Sequence, residues 1–228
     1  MARVDLIVWL LALTAGCTDG FSFIKLGVFT SAMSGNAVLL GIALGEDRIY
    51  LASRAIAAIM SYIVGVALST VLARAFERSG RPRSLAAPLT LETLLLAGFA
   101  ALLVSTGSAR HEAAATYGLV ALAGLSMGLQ GGSASRLQVP GINTVVFTST
   151  LTTIVRTLIE TGLKSRPRHV GWPTCRQAIA FTLYVVGATA GGVGAMRSLH
   201  VAALACACAA LAAICAFTDR GPRVDAAP

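Results

Sequence analysis

The chain has 228 residues, of which 56% are hydrophobic and 12% are charged. Because a soluble domain carries about 25% charged residues, this composition excludes an ordinary water-soluble globule, and a mean hydropathy of +0.76 excludes a disordered chain. The formal charge is +8, from 18 basic and 10 acidic residues. The basic residues cluster between apolar stretches, which is typical of a multi-pass membrane protein, so we expect no nucleic-acid partner.

Eight apolar windows follow one another along the chain. A helix needs about 20 apolar residues to cross the roughly 30 Å hydrocarbon core of a bilayer, and most windows approach that length. Polar residues interrupt the first window at 17–20 and open the second at 29–36. Short linkers and a polar tail predict a single all-α transmembrane domain over residues 1–228. The windows are 6–26, 28–44, 56–76, 89–104, 113–134, 144–163, 178–196 and 199–217.

The sequence contains an internal repeat. Three groups of residues in the first half recur in the same order in the second half, at separations that drift only slightly along the chain. Ordered matches of this kind predict two copies of one helical unit, over about residues 5–106 and 113–217. The matched groups are Asp19, Gly20, Ser22 and Lys25 with Gln130, Gly131, Ser133 and Arg136; Phe29, Thr30 and Ser31 with Phe147, Thr148 and Ser149; and Arg54, Tyr62 and Gly65 with Arg176, Tyr184 and Gly187.

Two basic clusters predict that the copies are inverted relative to each other. One cluster follows the third window and the other follows the sixth, and these positions are not equivalent in the repeat. Cytoplasmic loops gather Lys and Arg, so both clusters should face the cytoplasm, as they do when one copy is upside down. The clusters are Arg74, Arg78, Arg81 and Arg83, and Lys164, Arg166, Arg168 and Arg176.

An inverted repeat needs an odd number of crossings in each copy, so one of the four windows must fail to cross. The second window of each copy is rich in Gly, Ser, Thr and Asn and is best suited to form a broken or re-entrant segment. Such a segment is stable at membrane depth only against protein or water. We therefore expect about six crossings, with both termini in the cytoplasm. Eight full crossings are the alternative.

Each copy also contains an ordered motif. The first copy has AGCTDG at 15–20, VFTS at 28–31 and MSGN at 33–36, and the second has GLQ at 128–130, VPG at 139–141 and TVVFTSTLT at 144–152. These motifs resemble the two signatures of the YoaK family, bacterial proteins described as a domain of unknown function. The resemblance covers most of the chain. It implies a multi-pass protein of the bacterial inner membrane and brings no substrate or reaction.

Asp19 is the main candidate for a functional residue. A carboxylate within an apolar span costs about 2.5–3.5 kcal/mol on insertion scales, so it normally faces the bundle interior or water. Thr18 and Gly20 flank it where the helix could open and expose carbonyl groups, so Asp19 could bind a cation or carry a proton. The alternative is a structural carboxylate satisfied by backbone N–H groups.

Uncharged polar side chains in the two repeat-equivalent segments are the remaining site candidates. Hydroxyl and amide groups suit a small polar or ionic solute that has lost its water, as do the ends of half-helices. Gln130, which matches Asp19, would complete a pseudo-symmetric site with one titratable group. Alternatively, these groups bond to helix carbonyls or tighten helix packing. The candidates are Thr18, Thr30, Ser31, Ser34 and Asn36 in the first copy, and Gln130, Thr148, Ser149 and Thr152 in the second.

Other polar residues favour structural roles. Glu92 and the i, i+4 pair Arg156 and Glu160 lie near window ends, within reach of an interface. Tyr62 and Tyr184 share their windows with glycines, which favours buried phenols packed between helices over a ligand contact. The cysteines and histidines are not spaced for a metal site or a catalytic pair, so we expect no metal, no cofactor and no enzymatic activity.

These features predict a secondary transporter or channel for a small polar or ionic solute, with the interrupted segments meeting near the midplane while the two halves rock against each other. The alternative is a non-transporting membrane protein, such as an assembly partner or a sensor. The lipid bilayer is the expected partner, and small-residue helix faces would permit a homodimer.

Overall fold

The computed structural model describes residues 3–78, 85–106, 113–137, 147–162, 171–197 and 202–218. Within these ranges all regular secondary structure is helical, which confirms the prediction of an all-α fold. Long runs of leucine and alanine favour this outcome because a helix satisfies its own backbone hydrogen bonds in lipid. The helices are α1 (Arg3–Leu26), α2 (Met33–Gly45), α3 (Ile49–Arg78), α4 (Ala86–Thr106), α5 (Ala113–Arg136), α6 (Phe147–Gly162), α7 (Trp172–Arg197) and α8 (Ala202–Thr218).

Four of the described helices are long and apolar enough to cross a bilayer, namely α1 over Val4–Leu26, α3, α4 and α7. Their outer faces carry exposed apolar side chains, for example Val71 and Leu94, each 63% exposed. Such faces are unfavourable in water and suited to lipid. Together the spans and the exposed apolar faces confirm the prediction of a transmembrane helix bundle.

The first helix is continuous through residues 17–20, so the interruption predicted there is absent. The break comes later in the chain. Gly27 takes a positive φ of 73°, the left-handed conformation that commonly terminates a helix. Irregular residues follow until α2 begins at Met33.

Glycines bring α1 and α7 into close contact. A Cβ atom at Gly16 would lie 2.0 Å from the carbonyl oxygen of Tyr184, and one at Gly20 would lie 2.2 Å from that of Ala188. No larger side chain fits at either position, which is how small residues let membrane helices approach. Because the contacts advance in the same order along both helices, α1 and α7 run in the same direction.

The contact between α3 and α5 is built in the same way. A Cβ atom at Gly128 would lie 2.2 Å from the carbonyl oxygen of Tyr62, and one at Gly132 would lie 2.8 Å from the Cβ atom of Ser69. These contacts also advance in the same order along the two chains. Helices α3 and α5 therefore run in the same direction.

The centre of the bundle is formed by α1, α4, α5 and α8. Leu89 near the start of α4 clusters with Ala134 near the end of α5, and Leu96, farther along α4, clusters with Met127, earlier in α5. The two helices are therefore antiparallel. Helix α1 meets α8 in the same antiparallel manner, because Ile7 and Leu11 share one cluster with the last residues of α8 and Ala15 shares another with Ala209.

Helices α4 and α8 pack against each other across the middle of the bundle. Leu89 clusters with Ala212, and Leu96 clusters with Ala209. The residue number rises along α4 as it falls along α8. These two helices, which occupy the last position of each repeat copy, therefore run in opposite directions.

Exchanging the first four helices for the last four reproduces most of the helix contacts, although the α3–α4 contact has no comparable α7–α8 counterpart among the described residues. The α1–α7 contact becomes the α3–α5 contact, and the α4–α5 contact becomes the α1–α8 contact. Helix α2 packs on α3 as α6 packs on α7.

The short helix α2 does not span. Its 13 residues extend about 20 Å at 1.5 Å per residue, which is less than the roughly 30 Å hydrocarbon core. Thr30 and Ser31 lie beside Asp19, inside the bundle. Helix α3 begins beside the end of α1, where Arg54 donates a hydrogen bond to the carbonyl of Leu26 at 3.4 Å. The chain therefore dips into the bundle and returns to the same end, which is a re-entrant geometry.

Candidate functional site

The carboxylate of Asp19 lies at the centre of the candidate site, and the residue is only 2% exposed. Its Oδ1 atom accepts hydrogen bonds from the backbone N–H groups of Thr30 and Ser31, both at 2.7 Å, and from the Thr30 hydroxyl at 3.1 Å. Its Oδ2 atom accepts from the Ser31 hydroxyl and, at 2.7 Å, from the hydroxyl of Tyr184 in α7. Five hydrogen bonds therefore converge on one carboxylate.

This donor set matches the charged form of Asp19. An ionised carboxylate only accepts hydrogen bonds, and both of its oxygens are occupied by donors here. Hydrogen bonds to a charged acceptor are the strong ones, and a low dielectric strengthens them further. The ion pairs found among the described residues do not involve Asp19. Its negative charge is therefore stabilised by dipoles.

Asn36 of α2 holds the irregular segment in shape. Its Oδ1 atom accepts the backbone N–H of Phe29 at 2.8 Å, and its Nδ2 atom donates to the carbonyl of Phe29 at 2.6 Å. The Phe29 ring stacks on Phe23 of α1 with 4.7 Å between the ring centroids. Asn36 thus fixes the backbone that presents the two hydroxyl residues to the carboxylate, without touching the carboxylate itself.

Two predicted residues of the first copy do not join this site. The Thr18 hydroxyl donates to the carbonyl of Thr14 at 3.0 Å and lies 3.2 Å from the sulfur of Met127. Ser34 is exposed in the first turn of α2. Thr18 therefore bonds back to its own helix, as the structural interpretation of such hydroxyls expects.

The structure separates Gln130 from Asp19, where we expected one shared site. The Nε2 atom of Gln130 donates to the carbonyl of Leu11 at 2.8 Å, and Leu11 lies about 12 Å from Asp19 along the helix axis at 1.5 Å per residue. The Oε1 atom is buried and has no hydrogen-bond partner among the described residues. Asp19 and its repeat match Gln130 therefore lie at different depths along α1.

In the second repeat copy, the structure describes only part of the predicted hydroxyl-rich segment. Thr152 is exposed on α6. The side chains of Thr148 and Ser149 lie outside the described residues, as does part of each predicted basic cluster. The basic residues concerned are Arg81, Arg83, Lys164, Arg166 and Arg168.

Tyr184 is a site residue for which we favoured packing between helices over a ligand contact. It belongs to the second repeat copy, yet its hydroxyl donates to the carboxylate of Asp19 in the first. The available signal was its match with Tyr62 in the repeat, since both tyrosines lie in glycine-rich windows. Both also pack against the cluster that contains Ala15 and Met127.

Glu92 of α4 is fully buried, with 0% exposure, so it does not reach an interface as expected. Neither of its carboxyl oxygens has a hydrogen-bond partner within the described residues. Its position near the edge of the apolar window concealed this environment, because α4 begins earlier, at Ala86. A second buried acid therefore lies in the bundle, in surroundings unlike those of Asp19.

No group of three or more His, Cys, Asp or Glu side chains that could hold a metal ion occurs in the part of the chain that the structure describes. The groups at Asp19 are one charged acceptor, three hydroxyls and two backbone N–H groups. This set can exchange one donor for a cation or a polar solute, because each carboxylate oxygen can accept from several partners.

Comparison with known proteins gives two matches. A family model described as "Protein of unknown function (DUF1275)" matches residues 7–217. The "UPF0700 transmembrane protein YoaK" of Bacillus subtilis (strain 168) is 33% identical over 181 residues, which are 78% of this chain and 78% of that protein. No solved structure matches. Neither description states a substrate or a reaction.

Proposed function

We propose that this chain, which belongs to the DUF1275 family of membrane proteins of unknown function, as its resemblance to YoaK indicated, is a secondary transporter or channel for a small polar or ionic solute. One observation carries the proposal. An irregular segment dips into the bundle and ends on the carboxylate of Asp19. Broken segments at membrane depth are typical of transporters, where their free backbone groups and half-helix ends bind solutes and ions.

The halves are interpreted as inverted repeats in one membrane domain, with about six crossings. The exchange symmetry of the helix contacts supports this, and so do the opposite directions of α4 and α8. An axis in the membrane plane relates equivalent helices in opposite directions, whereas an axis along the membrane normal keeps them parallel. In this arrangement α2 and α6 are the segments that do not cross.

The orientation follows from charge. The end of α3, the end of α5 and the start of α7 share one face, where Arg136 bonds to Glu77 and Arg176 bonds to Asp5. The segments that join α3 to α4 and α6 to α7 carry five further basic residues. This face is therefore assigned to the cytoplasm, with both termini, in a bacterial inner membrane. Cysteines introduced at Arg78 and Arg176, in a background without the native cysteines, should be labelled from that side; labelling from opposite sides would refute the assignment.

In the proposed transport cycle, the contact between the two halves opens at Asp19. Tyr184 reaches the carboxylate from α7, whereas Thr30 and Ser31 reach it from the first copy. When the halves rock, the Tyr184 hydroxyl leaves Oδ2, and a cation or the donor group of a solute takes its place. The backbone donors hold Oδ1 throughout, so the segment stays anchored. These groups bind and release the solute without breaking a bond in it, so we propose transport without catalysis.

The alternative is a non-transporting membrane protein, and one observation favours it. Asp19 is already saturated by five donors, which is what a purely structural anchor for the α1–α2 segment requires. In that case the halves are static and Tyr184 never leaves.

Flux measurements separate the two functions. Purified protein in liposomes is tested with glycerol, glycine, NaCl and KCl, by light scattering and ion-sensitive dyes. Transport predicts flux above that of empty liposomes for at least one probe, and a loss of about tenfold or more in Asp19→Asn, equivalent to about 1.4 kcal/mol. Ser34→Ala, at an exposed position of α2, is the matched control. Intact flux in Asp19→Asn would remove this carboxylate from the mechanism, and no flux with any probe would favour the alternative.

A further inference from the structure

Glu92 is a buried acid that the proposed solute site does not use. It is 0% exposed, and both carboxyl oxygens lack a hydrogen-bond partner among the residues that the structure describes. On the neighbouring helix α5, the Oε1 atom of Gln130 is likewise buried and has no hydrogen-bond partner among the described residues. Three acceptor atoms without a donor are unusual in a protein interior, where buried polar groups are normally paired.

The helix register turns Glu92 and Gln130 toward each other. On α4, Leu89, Glu92 and Leu96 follow the i, i+3, i+7 spacing of one helix face. On α5, Met127, Gln130 and Ala134 follow the same spacing. Because Leu89 clusters with Ala134 and Leu96 clusters with Met127, we infer that the middle residues of the two antiparallel faces, Glu92 and Gln130, lie opposite each other.

The elements around Glu92 bring no opposite charge to it. Helix α8 presents alanines, with the thiols of Cys208 and Cys215 on the same helix, and α1 presents Leu11, whose carbonyl is already bonded to the Gln130 amide. The charged side chains of the neighbouring helices make other contacts: Arg136 of α5 and Asp5 of α1 belong to ion pairs at the helix ends, and Asp19 of α1 accepts hydrogen bonds from the re-entrant segment and from Tyr184. Helix α3 touches α4 only lightly and contributes the neutral Ser69 at its buried face.

A bound proton satisfies the unpartnered acceptor atoms of Glu92 and Gln130 better than a metal cation would. A lone carboxylate in a dry interior is strongly disfavoured, whereas the neutral acid is tolerated. The neutral acid also carries an O–H group, which is the donor that the Oε1 atom of Gln130 lacks. A cation would need room and several further oxygens, but Glu92 is fully enclosed by packed side chains.

We propose that Glu92 and Gln130 form an intramembrane proton-binding site. The proton resides on one Oε atom of Glu92, and the O–H group donates to the Oε1 atom of Gln130. Separation of α4 from α5 would let water reach the acid and take the proton, leaving the carboxylate hydrated. Coupling rests on the proposed function: this proton is the ion that couples to solute movement.

Infrared spectroscopy of the purified protein at neutral pH tests proton binding without any transport. The carbonyl stretch of a protonated carboxylic acid should be present, and it should shift when the protein carries 13C-labelled glutamate, because Glu92 is the source. Glu92→Gln should abolish the band, whereas Glu46→Gln, at an exposed and ion-paired glutamate, should leave it in place. Absence of the band in the wild type, or its persistence in Glu92→Gln, would overturn the proposal.

A second variant tests the partner. Gln130→Leu removes the acceptor, so the same band should remain but move to the higher frequency of a free acid. An unchanged frequency would exclude Gln130 from the site. This measurement does not depend on the stability of the Glu92→Gln protein.

Coupling is measured separately in liposomes that contain a pH-sensitive dye, with the probe solute found in the flux assay. Solute entry should change the internal pH in the wild type, and Glu92→Gln should lose that change. Solute flux without a pH change in the wild type would overturn the coupling. An infrared band without any flux would instead refute the proposed transport function and leave the proton site standing.

Discussion

The bundle buries the acids Asp19 and Glu92 in two regions whose polar surroundings are opposite. Asp19 accepts five hydrogen bonds and joins α1, the re-entrant segment and α7. Glu92 has no hydrogen-bond partner among the described residues and lies in the α4–α5 contact. Both belong to the first repeat copy, and neither is exposed by more than 2%.

The difference shows that burial alone does not define the state of an acid. Donors stabilise the charged form, and their absence stabilises the neutral form. The same amide substitution should therefore have a large effect at Asp19 and a small effect at Glu92. It removes a required charge from Asp19, but it mimics the state that Glu92 already holds.

The largest effect is expected for Asp19→Asn. The amide puts a donor where the Tyr184 and Ser31 hydroxyls also donate, and it removes the charge that all five hydrogen bonds use. We expect the free energy of unfolding to fall by about 3 kcal/mol, since each orphaned buried donor costs about 1–3 kcal/mol. Unfolding in detergent micelles measures it. A loss below about 1 kcal/mol would mean that the donors find other partners, and the contrast with Glu92 would disappear.

A somewhat smaller effect is expected for Gly16→Ala. The new methyl group would lie 2.0 Å from the carbonyl oxygen of Tyr184, so α7 must move away from α1 and carry the tyrosine hydroxyl with it. Overpacking of this kind costs about 1–3 kcal/mol. The control is Gly41→Ala on α2, where no atom beyond the neighbouring residues and backbone of the same helix lies within 4 Å of the new Cβ. Equal unfolding free energies for the two variants would show that the α1–α7 contact is looser than the glycines indicate.

Removing a single donor should have a more moderate effect. Tyr184→Phe deletes the hydrogen bond to Oδ2 of Asp19 and leaves the ring in place, so we expect a loss of about 1.5 kcal/mol, typical of a bond to a charged group. The matched control is Tyr62→Phe, the repeat mate, whose ring packs in the same cluster. Thermal unfolding of both variants measures the difference. A larger loss in Tyr62→Phe would contradict the special role of α7 at Asp19.

Much of the fold was predictable because it depends on local pattern. Apolar windows gave the helices, and repeated residues such as Tyr62 and Tyr184 identified the equivalent elements. The break was misplaced at residues 17–20 because a glycine beside an acid suggests an opening, whereas Gly20 serves the close approach of α7. The true break follows Gly27, whose positive φ ends helix α1.

The candidate site was predictable only where its members are near in sequence. Thr30 and Ser31 follow Asp19 closely, so the polar pattern grouped them correctly. Tyr184 comes from the other end of the chain, and its distance from Asp19 is set by glycine packing that no motif records. The environment of Glu92 depends on which face of α4 meets α5, and a window of apolar residues does not specify that face.

The smallest effect is expected for Glu92→Gln, and it tests the comparison most sharply. The glutamine amide has nearly the shape of the neutral acid, and its N–H group can donate to Oε1 of Gln130 as the acid O–H does. The free energy of unfolding should therefore change by less than about 1 kcal/mol at neutral pH, the scale of one neutral hydrogen bond. A drop as large as that of Asp19→Asn would mean that Glu92 is charged in the folded protein, and the two acids would then share one role.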